Sequence, residues 1–234
     1  MTDKTYNFPE GEVLLFNKPY GWTSFDLVNK VRCQLKHFLK IKKIKIGHAG
    51  TLDPLATGLL ILCTGKFTKQ IERFQALEKE YTGTFYLGAT TPSSDMESAV
   101  DEIYSVSHIT ENLIYEKAGQ FIGEQLQAPP LFSAKKIEGE RAYEYARRGE
   151  MRVMEKNSIY INTFEITGIK MPEVNFRVVC SKGTYIRSLA RDFGEALGTG
   201  AYLRALCRIR IGEFKLEEAM ELGEFEGMIG ESRK

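Results

Sequence analysis

The chain has 234 residues, 43% of them hydrophobic and 27% charged, with a formal net charge of +1. That balance suits a globular protein able to bury one sizeable core or two small ones. No apolar run reaches the roughly 18 to 20 residues that span a bilayer, and Met1 to Glu10 lacks the basic and apolar regions of a signal peptide, so a cytoplasmic location is expected. Cys33, Cys63, Cys180 and Cys207 are far apart in apolar contexts without Cys-x-x-Cys spacing and read as buried thiols. The three histidines, His37, His48 and His108, lack ligand spacing, so no metal is expected.

In chain order, Val13 to Phe16 predicts a short buried strand, and Asn17-Lys18-Pro19-Tyr20-Gly21 after it is turn chemistry. Thr23 or Ser24 can then cap a helix. Its apolar positions Leu27, Val31, Leu35, Phe38 and Leu39 recur at helical spacing, leaving Lys30, Arg32, Lys36 and Lys40 outside, and it should end before Lys42. Tyr81 to Gly88, Ser158 to Lys170 and Val174 to Ser181 predict strands. Gly183 to Leu197 reads as a loop entering a helix closed by Gly198. Without a βαβ rhythm, the fold class is α+β with a mainly antiparallel sheet. Residues 125–152, with two adjacent prolines and six Lys or Arg, predict a surface excursion carrying a short helix from Arg141 to Arg148.

Charge is distributed unevenly. Leu27 to Leu52 holds seven Lys or Arg and no acid, whereas Gly212 to Lys234 holds seven Glu against three basic residues. Such asymmetry can build a positive face for a polyanion on a nearly neutral protein, although a lysine-rich stretch can equally be a solvated surface. Asp53 lies in a loop with Gly47, Gly50 and Gly58, is followed by Pro54, and precedes the apolar run Leu59 to Leu62. Glycines permit close backbone approach and proline stiffens the turn, which would hold one carboxylate rigidly. Asp before Pro is also a common turn element, so these residues alone leave a structural and a catalytic role open.

Six stretches narrow the choice. They are Asn17-Lys18-Pro19-Tyr20-Gly21-Trp22-Thr23-Ser24; the run from Gly47 to Leu60; Lys79-Glu80-Tyr81; Gln127 to Lys136 with Tyr143 to Arg147; Cys180 to Leu189; and Gly200 to Leu206. Spread over residues of about 11 to 215, they resemble the motifs of the TruB family, the synthases that make pseudouridine in the T loop of tRNA. The resemblance implies a pseudouridine synthase fold with helices flanking the sheet, a basic thumb-like insertion at about 125–152, and one catalytic domain over 1–234 without a separate C-terminal PUA-type domain. It implies Asp53 as nucleophile, Arg187 as its charge partner, and Tyr81 as the stacking partner of the flipped uracil. Ile186 and Leu203 would close the pocket, and His48 would fill the space that the base leaves. Lys18 would hold the motif loops or meet RNA phosphate. Arg141, Arg147, Arg148 and Arg152 would grip the RNA, with Lys36, Lys40, Lys42, Lys43 and Lys45 as a second strip.

The implied partner is the T stem-loop of tRNA, bound by a monomer without guide RNA, cofactor or membrane. Departures from the family pattern are Phe132 in place of a tyrosine, a loose acidic loop around Asp95, and Tyr202 and Cys207 in place of a histidine and an arginine. Two other readings are a guide-RNA-dependent pseudouridylase and a non-catalytic RNA-binding or chaperone module. Retention of Asp53, Tyr81 and Arg187 together argues against the second of these.

Overall fold

The structure is a computed structural model describing residues 6–130, 132, 136–137, 140–141 and 155–231. It divides into two compact units, residues 1–80 with 207–234 and residues 81–206. The first unit holds β1 (Val13–Lys18), α1 (Ser24–Leu39), β2 (Ile46–His48), β3 (Ala56–Thr64) and α2 (Ile71–Ala76), and β4 (Lys79–Leu87) begins there. The second holds β5 (Ala89–Thr90), β6 (Glu102–Ile103), α3 (Glu111–Gln120), β7 (Gly123–Gln127), β8 (Lys136–Ile137), β9 (Glu140–Arg141), β10 (Asn157–Lys170), β11 (Glu173–Cys180) and α4 (Ile186–Ala196). Strand β12 (Ala201–Ile211) starts in the second unit and ends in the first, which closes with β13 (Phe214–Lys215) and α5 (Leu222–Glu231).

In the first unit β3 is the central element. It pairs antiparallel with β1, from Val13 opposite Cys63 to Lys18 opposite Gly58, and with β2, where His48 lies opposite Leu62. Its apolar run is continuous because both faces are covered. Leu60 and Leu62 join Leu14, Phe16, Leu27, Val31, Leu35 and Phe225 on one side, while Leu59, Ile61 and Cys63 join Phe74 and Ile211 on the other. Each fully buried leucine contributes about 1.5–3 kcal/mol, which anchors the chain just after Asp53.

Helix α1 follows its predicted stripe and ends at Lys40 in the left-handed region, before Lys42 as expected. Of the two candidate caps, Thr23 closes a capping box with Asp26, worth about 1 kcal/mol. The stripe at Leu27, Val31 and Leu35 turns Cys33 outward, so Cys33 is exposed and Cys207 only half-buried, against the expectation of four buried thiols. The acidic C-terminal segment meets part of the basic strip. Lys30 pairs with Glu226 at 3.2 Å, Gln34 also bonds Glu226, and Arg32 donates to the carbonyl of Ile46. Lys30 thus stays on the outside, as expected, in a solvent-exposed pair, whereas Arg32 is half-buried and bonded within the fold.

In the second unit the strand order is β12-β4-β11-β10-β7, with antiparallel β10–β11 and β10–β7 pairs. Phe85, Phe164, Phe176 and Phe193 form its aromatic core, Phe85 stacking on Phe176 at 4.1 Å between ring centroids. The α+β class and the mainly antiparallel sheet agree with the sequence reading. In the basic insertion, Arg141 pairs with Lys136 in the β8–β9 hairpin rather than opening a helix. The rest of the expected helix, with Arg147 and Arg148, and also Arg152, lies outside the described residues.

Candidate functional site

In the first unit the loop bearing Asp53 is tied on every side. The amide of Ala49 donates to Ile61 O at 2.9 Å, and that of Ala56 to Asp53 O at 3.1 Å. Ser24, left free by the Thr23 cap, donates through Oγ to Leu52 O at 3.0 Å and accepts from Leu52 N at 2.9 Å. The amide of Gly21 donates to Pro54 O at 2.9 Å, and Asn17 Oδ1 accepts from Gly58 N at 3.2 Å. A loop with so many backbone groups satisfied holds its carboxylate with little freedom, which is what a positioned nucleophile requires.

Lys18 is completely buried. Its ammonium donates to Trp22 O at 2.6 Å, Pro19 O at 3.0 Å and Pro54 O at 3.3 Å, joining the first motif to the Asp53 loop. Of its two expected roles, this geometry is the loop-holding one. Burial pushes the Lys18 pKa down to about 8; Asp53 pulls it back up and Arg208 lowers it further. Because the folded value lies below the ordinary 10.5, the unfolded chain binds this proton more readily. The stability contributed by this group is therefore lowest below about pH 8 and rises between about 8 and 10.5. The unfolding free energy of the wild type minus that of Lys18→Met should climb across this window in urea titrations, and a difference flat with pH would contradict the assignment.

His48, on β2, also has its pKa lowered, first by burial and then by Arg208, so the ring is neutral at pH 7. Its Nδ1 is buried and takes no hydrogen bond among the described residues. Arg208 itself, on β12, is 1% exposed. Its Nε donates to Leu59 O at 2.8 Å and its Nη2 to Gly50 O at 2.9 Å. Gly58 has φ +104°, and a Cβ there would lie 2.4 Å from the Arg208 carbonyl oxygen, so only glycine fits.

In the second unit Arg187 occupies the first turn of α4 and is 4% exposed. Its Nη1 donates to Ser93 O at 3.2 Å and its Nη2 to Phe132 O at 3.0 Å, while Nε lies 3.5 Å from the buried carboxylate of Asp95, an ion-pair distance rather than a hydrogen bond. The other Asp95 oxygen accepts from Glu97 N. Asp95 also bridges to Leu203, whose amide donates to Ser94 O at 2.9 Å. Arg187 and Leu203 are thus gathered around the Ser93–Asp95 turn, and Ile186 is buried beside Arg187 on α4. The root of the basic insertion is held there too: Gln127 accepts from Tyr185 N at 2.8 Å and donates to Tyr185 O at 3.1 Å, and Ser188 Oγ donates to Ala128 O at 2.8 Å. Tyr81, on β4, is 8% exposed.

Part of the predicted basic strip lines a cleft of about 350 Å³ in the first unit, where Lys43 and Lys45 are joined by Lys66, Lys69 and Thr68. Among the described residues no cluster of His, Cys, Asp or Glu could hold a metal, and no helix is long and apolar enough to cross a membrane. Sequence reasoning missed the contributions of Arg208, Ser24 and Gln127, and gave Asp95 too little weight. The available signals were an arginine inside a strand ending in apolar residues and the spare hydroxyl beside the Thr23 cap.

Comparison with known proteins shows the family of the chain. The family profile described as TruB family pseudouridylate synthase (N terminal domain) matches residues 36–186, and that of the tRNA pseudouridylate synthase B C-terminal domain matches residues 187–233. The tRNA pseudouridine synthase B of Phocaeicola vulgatus is 53% identical over 219 residues, covering 94% of this chain and 93% of the relative. The protein of the same name from Flavobacterium johnsoniae is 55% identical over 218 residues, covering 93% and 95%. A chain in the crystal structure of a Cbf5-Nop10-Gar1 complex is 29% identical with a TM-score of 0.70 over 94% of this chain, which spans 54% of that longer chain.

Proposed function

This chain belongs to the TruB family of pseudouridylate synthases, isomerases of tRNA uridine, and from that premise we propose that it converts uridine 55 in the T loop of tRNA to pseudouridine. The observation that carries the reading is Asp53 in a loop whose backbone is hydrogen-bonded on both sides. The reaction breaks the N1 to C1′ bond, turns the uracil, and rejoins it through C5, which calls for one positioned carboxylate and no external reductant. A T-loop uridine is stacked, so it must be flipped out at a cost of a few kcal/mol. Asp53 supplies the carboxylate, with Arg187 as its charge partner in the reaction. Tyr81 stacks on the flipped base, Ile186 and Leu203 close over it, and the neutral ring of His48 takes its place in the loop. The arginines of the insertion and the lysines of the basic strip hold phosphates, leaving selectivity to T-loop shape. The enzyme works as a cytoplasmic monomer.

The test is to incubate the protein with an unmodified tRNA transcript, without guide RNA, and to map pseudouridine. One modified position, 55, is expected. Binding should weaken steeply as salt rises, because several phosphate contacts release counterions. The likeness to a Cbf5 chain raises a guide-dependent reading, but at 29% identity against 53% it is the weaker one, and product formed without guide would exclude it. Tight tRNA binding with no product would instead leave a binding module.

A further inference from the structure

The single side chain of Arg208 spans the neck of the Asp53 loop. Gly50 O lies three residues before Asp53 and Leu59 O six residues after it, and both accept from the one guanidinium, at 2.9 and 2.8 Å. The planar fork sets both carbonyls in fixed relation, which neither a lysine nor a neutral side chain of equal length can do. The strand beneath is equally confined, since the glycine at 58 lets the β3 backbone approach that of Arg208 to a distance where a Cβ would sit 2.6 Å from its amide nitrogen. At 1% exposure, the guanidinium is buried away from solvent and donates to carbonyls inside the protein.

We propose that Arg208 is a positioning residue for the isomerisation: by clipping Gly50 O to Leu59 O it sets the aim of the Asp53 carboxylate without touching the substrate. This rests on the reading of Asp53 as the catalytic carboxylate. Two further features support it. Ser24, Gly21 and Lys18 reach Leu52 and Pro54 in the middle of the loop, Asn17 reaches Gly58 near one end, and the backbone bond from Ala49 to Ile61 O lies outside the segment that Arg208 spans. Arg208 alone among these side chains joins its two ends, so loss of the fork leaves the loop in place but frees it to rock about its neck. A displacement of about 1 Å at the reacting atom costs on the order of 100-fold in rate, and leaves contacts to the rest of the tRNA unchanged.

The experiment compares wild type, Arg208→Lys, Arg208→Met and Asp53→Asn by urea unfolding, tRNA filter binding, and single-turnover pseudouridine formation at saturating enzyme. Arg208→Lys is expected to remain folded and to bind tRNA within about twofold of wild type, while its single-turnover rate falls roughly 10- to 100-fold, with Arg208→Met lower still. Millimolar guanidinium should restore part of the rate to Arg208→Met and leave the wild type unchanged. A wild-type rate in folded Arg208→Lys would overturn the proposal. So would failure of both variants to fold, which would assign Arg208 to the core alone, and so would a loss confined to tRNA affinity. If Asp53→Asn is inactive while Arg208→Lys is fully active, only the clip fails; if Asp53→Asn is itself active, the reading of Asp53 fails.

Discussion

Asp53→Asn will abolish pseudouridine formation, by more than about a thousandfold, while tRNA affinity changes no more than a few-fold; losing a group that acts only in the transition state affects rate and not binding. The substitution is nearly isosteric, and the backbone of the loop is held by groups other than the carboxylate: Ser24 through Leu52, Gly21 and Lys18 through Pro54, Arg208 through Gly50. The fold should therefore survive, and an unfolding midpoint near that of wild type is part of the expected result. Product formed at a measurable fraction of the wild-type rate would falsify the assignment of the nucleophile. Lys18 reports on the same change independently, because Asp53 raises its pKa. With that charge removed, the Lys18 pKa should move further down from about 8.

The second large effect concerns Arg187. Replacing it with Met leaves the Asp95 carboxylate buried with its Glu97 amide but without its cation, and breaking a buried pair in this way costs about 3–5 kcal/mol. Ser93 O and Phe132 O lose their donors at the same time. Urea unfolding should show the loss in Arg187→Met, and Arg187→Met with Asp95→Asn should recover part of it, because the stranded charge is gone. Activity should not follow stability. Both the single and the double variant should fall by at least about a hundredfold in kcat, the scale for removing a preorganised charge from a reacting centre. Recovery of activity along with stability in the double variant would reduce Arg187 to a structural role. The Asp95 turn also carries Leu203 through a backbone bridge, so displacement of this turn should register at Leu203 as well.

Much of this protein was legible before any coordinates. Helix α1, its stop before Lys42, the strands on either side of Pro172 and the helix after Gly183 all follow from apolar periodicity and turn chemistry, which act over a few residues. The six motif stretches, and with them Asp53, Tyr81 and Arg187 as the residues to watch, were equally visible, because a motif is a local string. The continuous run at Leu59 to Leu62 was enough to say that the Asp53 loop is anchored, and the two clusters on either face of β3 are its tertiary form.

Pairing between distant residues was not legible. Thr23 and Ser24 are adjacent and both suit a helix cap, and only the approach of Leu52 turns Ser24 to the loop instead. Whether Lys18 holds the motif loops or meets phosphate is open until three carbonyls converge on it, and Lys30 reads as part of a basic face until Glu226 meets it. Arg208 is 158 positions from Gly50, so no local string joins the two. A buried charge bound to backbone carbonyls has no period and no composition signature, because an acceptor carbonyl is present at every residue. The identity of the reacting carboxylate could therefore be read from its own stretch of chain, whereas the means of holding it still depend on side chains that only the folded structure brings to it.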